Sequence, residues 1–376
     1  MSLPLRYSLR SAIRRRTTFL LTVTGIAVAV SIFVMMLTLV QGLASTMAET
    51  GNPRNLVLMR RGAISEATSA LSREDANIIA NHPAVTASSA EALLLWTTET
   101  PGKGMRMVPF RGVSAGSRDI HQVRILEGRP PGQGEAMVGQ ALLRGSPDLK
   151  VGSHVHWGRR DWTISGVFEA GGAVFESEIW GDVEEVLDDD RRTTYSSATV
   201  RLKDDVPVTE AIKQLEADKR LSVHAEQETA YYRAQAGSSK PILALSMVVA
   251  VLMGVASIFG LINTVQSSLS SRRREIAILQ ALGFPASNVA LSFVLEAMMQ
   301  ATLGGALGGV LGMLLAAGRD ATMLNTLTFA SVGFQLHPDG RVFAAGMIYS
   351  LLVGALASLW PALSASRVPI TVGLKQ

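Results

Sequence analysis

Cysteine is absent from the 376-residue chain, and charged and aromatic residues are scarce, at 18% and 6% of the total. A chain without cysteine has no disulfide, no thiolate metal site and no cysteine nucleophile. The absence does not identify the redox compartment, because a domain of ordinary size folds without disulfides. Soluble domains carry about 25% charged residues, so charge is missing from part of this chain.

The residues that lack charge form four long apolar runs. Residues 17–41, 241–271 and 342–366 contain no Asp, Glu, Lys or Arg. Residues 285–318 contain only Glu296. Each run reaches the roughly 20 residues that a helix needs to cross about 30 Å of hydrocarbon. The composition therefore excludes a soluble protein and a disordered chain, and it predicts four transmembrane helices.

The net charge of +4 and the pI of about 9.5 come from local basic segments. Unbalanced Arg and Lys occur in the N-terminal tail, in residues 270–286 and in the C-terminal tail, whereas residues 45–240 carry 23 Lys+Arg against 27 Asp+Glu. Short basic segments stay cytoplasmic, so residues 45–240 and 319–341 are predicted to lie outside. This placement explains the basic pI without nucleic acid as a partner.

The first apolar run also has the basic flank of a signal peptide, with a candidate cleavage site at residues 43–45. The apolar region of a signal peptide is about 7–15 residues long. Residues 17–41 are longer, so an uncleaved membrane anchor is predicted. The predicted segments are 1–16 (cytosolic tail), 17–44 (helix 1), 45–240 (external), 241–269 (helix 2), 270–286 (cytosolic), 287–318 (helix 3), 319–341 (external loop), 342–363 (helix 4) and 364–376 (cytosolic tail).

The external segment between helices 1 and 2 is predicted to fold as a mixed α/β domain. Residues 55–59 read as a strand, and Ser72 begins a helix that ends before Pro83. Near the far end, a strand at 197–202, a helix at 208–217 and a strand at 221–225 repeat this order. We expect the first and last elements to lie together. The Gly-rich middle, residues 111–179, favours short β-strands.

The middle of this domain contains two sets of residues, a pair of histidines and a set of glutamates, that resemble functional sites. His154 and His156 lie on one side of a predicted strand, but no third ligand is near in sequence, so they are interpreted as surface residues. Glu169, Glu176 and Glu178 are interpreted as a solvated acidic face rather than as the paired carboxylates of a hydrolase. No catalytic, cofactor-binding or metal-binding residue is predicted.

The third apolar run contains Gly304, Gly308 and Gly312 at four-residue steps. Small residues at this spacing allow helix backbones to approach closely in lipid. The partner helix belongs either to the same chain or to a second copy, and the spacing alone does not distinguish the two. Glu296 is costly in lipid and is expected to face the bundle interior. No other run holds an ionisable residue, so a structural role is favoured over an ion relay.

Residues 270–286 are predicted to form a short amphipathic cytosolic helix that ends near Gly283. Such a helix rests on lipid or docks to a protein, and the periodicity favours neither. Its basic start and its apolar face are formed by Arg272, Arg273, Arg274, Glu275, Ile276 and Leu279.

The stretch Arg274-Glu-Ile-Ala-Ile-Leu-Gln-Ala-Leu-Gly283 is followed by Leu295-Glu-Ala297 and by the glycine ladder. With the ending Pro361-Ala362 through Arg367 and Pro369, this pattern resembles the permease subunits of MacB/FtsX-type (type VII) ABC transporters. The resemblance covers all four helices, whereas the external domain is only loosely shared. Residues 168–172 and 176–180 are similar to DevC-like permeases within that family.

The resemblance implies a permease dimer, formed with a second copy or a homologue, that works with a dimer of separate ATPase subunits. ATP and Mg would then bind the partner ATPase, which docks on residues 272–279. The sequence agrees, because a Walker loop needs Gly-Lys followed by Ser or Thr, and Gly102-Lys103 is followed by Gly.

The resemblance also implies a multi-pass protein of the inner membrane that exports or extracts a lipid, lipoprotein or other amphiphile. A periplasmic adaptor and an outer-membrane channel are further expected partners. The alternatives are an FtsX-like regulator of a periplasmic hydrolase, with no transported substrate, and a membrane-anchored sensor.

Single cysteines introduced into this cysteine-free chain test the topology. Cysteine at Ser114 or Thr326 should react with an impermeant maleimide in intact cells, because both positions are predicted to lie outside. Cysteine at Ser271 or Ser366 should react only after the membrane is permeabilised. Labelling of Ser271→Cys in intact cells would contradict the four-helix topology.

Overall fold

The computed structural model describes residues 16–100, 104–146, 149–237, 240–271, 278, 285–324 and 331–365. The chain forms two compact units. The membrane unit comprises the described parts of Met1–Leu39, Ile242–Arg319 and Leu336–Gln376. The external unit comprises those of Val40–Pro241 and Asp320–Gln335.

The secondary structure of the described residues alternates between long apolar helices and a compact α/β region. The helices are α1 (Arg16–Glu49), α2 (Arg73–Ala80), α3 (Ser117–Ile120), α4 (Gln140–Gly145), α5 (Val183–Asp190), α6 (Val208–Ala217), α7 (Glu228–Ala236), α8 (Lys240–Ser271), α9 (Ala286–Ala316) and α10 (Gly340–Ala365). The strands are β1 (Asn55–Arg60), β2 (Val85–Thr100), β3 (Gly104–Val113), β4 (Arg124–Gly128), β5 (Glu135–Gly139), β6 (His154–Trp157), β7 (Arg160–Glu169), β8 (Ile179–Asp182), β9 (Ser197–Leu202), β10 (Val223–Gln227), β11 (Asp320–Leu324) and β12 (Ser331–Gln335).

Four of these helices, α1, α8, α9 and α10, are long and apolar enough to cross a membrane, with mean hydropathy from 1.5 to 2.5 in their most apolar windows. The prediction of four transmembrane helices with a mixed α/β domain between the first two is confirmed. Helix α1 continues to Glu49, five residues beyond the predicted end of helix 1 at residue 44.

The membrane unit has a small apolar core to which all four helices contribute. Thr22 of α1 and Thr264 of α8 share a hydrogen bond of 2.8 Å between their hydroxyl oxygens, so these two helices lie together. Tyr349 of α10 stacks on Phe33 of α1, with ring centroids 4.6 Å apart, and donates its hydroxyl to the carbonyl of Ala250. The core residues are Ile26, Val30, Val34, Leu261, Val265, Phe293, Ala297, Val342 and Ala357.

Helix α9 packs through glycine on two neighbours within this chain. A Cβ at Gly304, Gly308 or Gly312 would lie within 3 Å of α1 atoms. On the adjacent face, a Cβ at Gly305 or Gly309 would lie within 3 Å of Ser350 or Phe343 of α10. The glycine ladder therefore lies against α1, and no second copy is needed to cover it.

The external unit is built on one mixed sheet in the order β10-β1-β9-β2-β3-β8-β5-β7-β4, with β6 also paired to β7. Strand β1 lies between β9 and β10, so the first and last strands of the domain are neighbours, as expected. The predicted strand at 221–225 begins two residues later, at Val223. Helix α2 begins with the predicted cap, in which Ser72 and Asp75 form a reciprocal capping box.

The predicted loop between α9 and α10 contains a β-hairpin of β11 and β12 that belongs to the external unit. Ser177 and Gly333 bond reciprocally: the Ser177 hydroxyl donates to the Gly333 carbonyl at 3.0 Å, and the Gly333 amide donates to the Ser177 hydroxyl at 2.8 Å. Arg144 pairs with Asp320 at 3.1 Å. These contacts attach the hairpin to α4 and to the segment that precedes β8.

Replacing Gly308 by Ala should destabilise the helix bundle by about 1–3 kcal/mol, because overpacking forces backbone or side-chain shifts. The added Cβ would lie 2.3 Å from the Ala27 carbonyl oxygen. Gly260→Ala on α8 is the matched control, since a Cβ there meets nothing within 4 Å. Unfolding of the full-length protein in mixed detergent micelles measures both. Equal effects of the two variants would contradict close packing of α9 on α1.

Candidate functional site

The predicted ATPase-docking residues Arg272, Arg273, Arg274, Glu275, Ile276 and Leu279 lie outside the described residues. Ile278, between them, is helical and 45% exposed. Docking at this segment therefore stays a prediction. In α9, Glu296 is half-buried. Gln300, one turn further, is 2% exposed.

The external domain holds a buried ionic cluster centred on Arg111 of β3, a residue that is 1% exposed. Its Nε and Nη2 donate to the two oxygens of Glu178, at 2.7 and 2.9 Å, in a bidentate pair. Its Nη1 donates to Glu91 of β2 at 2.7 Å and to Glu66 at 3.0 Å. One guanidinium thus joins three carboxylates from separate segments of the sheet.

His121, which follows α3, extends this cluster to a fourth carboxylate. Its Nε2 lies 2.7 Å from Glu91, and its Nδ1 lies 3.1 Å from Glu228 at the start of α7. Burial alone would lower the pKa of His121, but the two carboxylates outweigh it and raise that pKa to about 10. Burial alone would raise the pKa of Glu91, but His121 and Arg111 lower it to about 2. Both side chains are therefore charged at neutral pH.

The interpretation of Glu176 and Glu178 as a solvated acidic face was wrong, because the two are only 6% and 4% exposed. Glu176 accepts from the amides of Ala170 and Gly172, at 2.9 and 2.8 Å, and Glu178 holds Arg111. Only Glu169 is more exposed, and it pairs with Arg124. Large apolar residues such as Phe175 and Trp180 alternate with these glutamates in the sequence. Because such residues are usually buried, they could have predicted that the glutamates are buried too.

The two histidines of β6 lie on the surface, where His156 pairs with Asp161 at 2.8 Å and His154 bonds Thr163 at 3.0 Å. Within the described ranges, no group of three or more His, Asp or Glu side chains is placed to hold a metal ion.

The Arg111 cluster is built to hold segments together rather than to carry out a reaction. Both nitrogens of His121 face carboxylates, and Trp180 Nε1 donates to Glu178 at 2.8 Å. The hydroxyl of Ser197, on β9, donates to Glu66 at 2.7 Å. A buried charge left without its partner is strongly destabilising, so this network fixes how β2, β3, β9 and α7 are placed.

Two family models together match most of the chain. A model described as "MacB-like periplasmic core domain" matches residues 19–218, and one described as "FtsX-like permease C-terminal" matches residues 247–370. An uncharacterized ABC transporter permease of Methanocaldococcus jannaschii is 24% identical over 196 residues, which are 49% of this chain. The match spans 46% of that relative, about half its length.

Solved structures are similar to part of the chain at low identity. The periplasmic region of MacB from Actinobacillus actinomycetemcomitans is 16% identical, with a TM-score of 0.40, over 49% of this chain and 93% of that one. The extracellular domain of a noncanonic ABC-type transporter, YknZ, from Gram-positive bacteria is 15% identical, with a TM-score of 0.37, over 46% of this chain and 99% of that one.

Replacing Arg111 by Met should destabilise the external domain by about 3–5 kcal/mol, because buried carboxylates lose their counter-charge. Arg73→Met is the matched control: Arg73 pairs with Glu184 on the surface, and such pairs contribute under about 1 kcal/mol. Unfolding followed by tryptophan fluorescence reports on this domain, which holds four of the five tryptophans. Similar losses in the two variants would contradict the role of the cluster.

The raised pKa of His121 predicts a pH dependence of stability. An unfolded histidine titrates near pH 6.5, whereas folded His121 keeps its proton up to about pH 10. Its contribution to the free energy of unfolding is therefore complete below pH 6.5, declines above it and is lost as pH passes 10. The decline between pH 7 and 10 should be weaker in His121→Gln and unchanged in the surface control His156→Gln. An unchanged decline in His121→Gln would refute this assignment.

Proposed function

Because the chain belongs to the MacB/FtsX family of ABC transporter permeases, we propose that it converts ATP hydrolysis on a separate ATPase subunit into movement of its external domain. The permease component of such a transporter is not itself an enzyme, and its class implies an ATPase partner. The chain is a membrane protein with an external domain, and we place it in the inner membrane with that domain in the periplasm.

The observation that carries this proposal is that α1 continues as one helix from the membrane unit into the external unit. Helix α1 is a single helix of 34 residues, about 51 Å at 1.5 Å per residue, which exceeds the roughly 30 Å of hydrocarbon. Its last ten residues belong to the external unit. The hairpin that joins α9 to α10 is attached to the same unit through Ser177 and Arg144.

A displacement of the helix bundle is therefore expected to reach the external domain through two connections along the chain. Helix α1 leads to the Glu49 end of the domain, and the hairpin leads to the segment between Val174 and Glu178. Glu178 in turn holds Arg111. These connections support transmission of movement from the membrane to the external domain.

The apolar helices support a substrate that is handled outside the bilayer rather than through a polar pore. A polar conduit needs polar lining, and the four membrane helices are apolar over most of their length. We propose export or extraction of a lipid, lipoprotein or other amphiphile by a permease dimer, with ATP and Mg on the partner ATPases. A periplasmic adaptor and an outer-membrane channel complete the proposed assembly.

Docking of the ATPase on residues 270–286 is tested by replacing both Ile276 and Leu279 with Asp. Losing buried anchors commonly costs about 2 kcal/mol or more of binding free energy, so the double variant should release the ATPase from the detergent-solubilised complex. Glu275→Lys should weaken the complex less, because a charge at the edge of an interface changes the association rate more than the dissociation rate.

Affinity pull-down of the ATPase gives the readout, and protease resistance of the external domain shows that the variant is folded. Full recovery of the ATPase with the folded double variant would mean that this helix rests on lipid instead. If the ATPase docks but only a periplasmic hydrolase co-purifies, regulation of that hydrolase would replace transport as the function.

A further inference from the structure

The external domain contains a cavity of about 130 Å³ beside the Arg111 cluster. It lies between the end of α1, the turn after β7 and the start of α7, and it is open on one side. A cavity needs about 10–15 Å³ to hold one water, so this one accommodates a group of several non-hydrogen atoms. Its lining includes Glu49, Ile120, His121, Ala173, Phe175 and Glu228.

The buried ionic cluster beside this cavity has more carboxylates than cations, and of its members only His121 and Glu228 line the cavity. Four buried carboxylates face two buried cations, Arg111 and His121. The nearby Arg201 donates to the Asn55 side chain and to the carbonyl of Ile120. Even with Arg201 counted, the carboxylates outnumber the cations. The four carboxylates belong to Glu66, Glu91, Glu178 and Glu228.

Glu49 adds a fifth carboxylate at the mouth of the cavity. It is the last residue of α1 and is exposed, and the described residues provide it with neither a hydrogen bond nor an ion pair. The carboxyl end of a helix carries a partial negative charge that attracts cations. An anionic ligand would therefore be repelled at this mouth, whereas a cationic ligand would be attracted by the Glu49 carboxylate.

The rest of the lining favours an organic cation over a metal ion. The described residues offer no group of three or more carboxylate or imidazole side chains for a metal. Phe175, Ile120 and Ala173 provide apolar lining beside His121, whose ring centroid lies 4.5 Å from that of Phe175. A carboxylate next to an apolar and aromatic surface suits an ammonium group that bears alkyl carbons.

We propose that this cavity binds an alkylammonium group, with Glu49 as the counter-charge that the ligand meets first. Glu228 and His121 form the rigid base of the site, and Phe175 contacts the alkyl carbons. The group belongs either to a soluble amine or to the headgroup of an aminophospholipid. This site does not depend on ATPase docking, so it can be tested without the partner.

Two ligands of the same shape separate charge recognition from cavity filling. Isothermal titration calorimetry of the full-length protein in a non-ionic detergent at pH 7 and low salt should show saturable binding of tert-butylammonium. Binding of neutral tert-butanol should be at least tenfold weaker. Binding of ethanolamine and of a short-chain phosphatidylethanolamine identifies the source: tighter binding of the lipid assigns a headgroup, and equal binding assigns a soluble amine.

Substitutions of Glu49, at the mouth of the cavity, leave the buried side chains of His121 and Glu228 unchanged. Glu49→Gln should weaken binding of tert-butylammonium about tenfold, and Glu49→Lys should abolish it. The matched control is Glu127→Gln, since Glu127 is exposed and does not line the cavity. Tryptophan fluorescence shows that each variant is folded. Equal binding of tert-butanol, unchanged binding in Glu49→Gln, or no binding of any ammonium ligand by the folded protein would overturn the proposal.

Discussion

Close backbone contact between α9 and α1 is the interaction on which the membrane unit depends. Helices in lipid gain little from burying apolar side chains, so they associate through close van der Waals packing. A Cβ at Gly308 would lie 2.3 Å from the carbonyl oxygen of Ala27, which leaves room only for glycine. The same requirement holds on the adjacent face of α9, where a Cβ at Gly309 would lie 2.7 Å from the ring of Phe343 of α10. Helix α9 thereby joins the two helices, α1 and α10, that lead directly into elements of the external domain.

The external unit is held by a different chemistry. The Arg111 cluster keeps four glutamates and one arginine almost free of solvent, together with a histidine whose pKa the carboxylates raise to about 10. A buried ion pair is weak evidence for stability, because apolar residues of similar volume often replace it without loss. What the Arg111 cluster provides is a fixed arrangement: the guanidinium accepts one geometry for Glu178, and His121 joins Glu91 to Glu228. The strands and helices of the external unit that carry these side chains are thereby held in place relative to one another.

The glycine packing of the membrane unit and the buried ion pairs of the external unit are both compatible with an ABC transporter permease. Helix α9 contains a single ionisable residue, so its glycine contacts with α1 and α10 bring little charge into the bilayer. The ion pairs inside the external domain hold its own segments together. The cavity beside Glu49 is lined only by residues of the external unit, so an occupant there would contact both the last residue of α1 and the start of α7.

Hydropathy, charge placement and local caps are properties of short segments, so the sequence by itself determined the four membrane helices, the position of the inserted domain and the Ser72 cap. The glycine ladder predicted close packing, but its partner helix became known only from the tertiary structure. The burial of Glu178 was missed because its counter-charge, Arg111, is 67 residues away along the chain. The hairpin at β11 and β12 was missed for the same reason, since Gly333 bonds a residue 156 positions away. Contacts between residues so distant in sequence are decided by how the elements pack, and local composition carries no record of them.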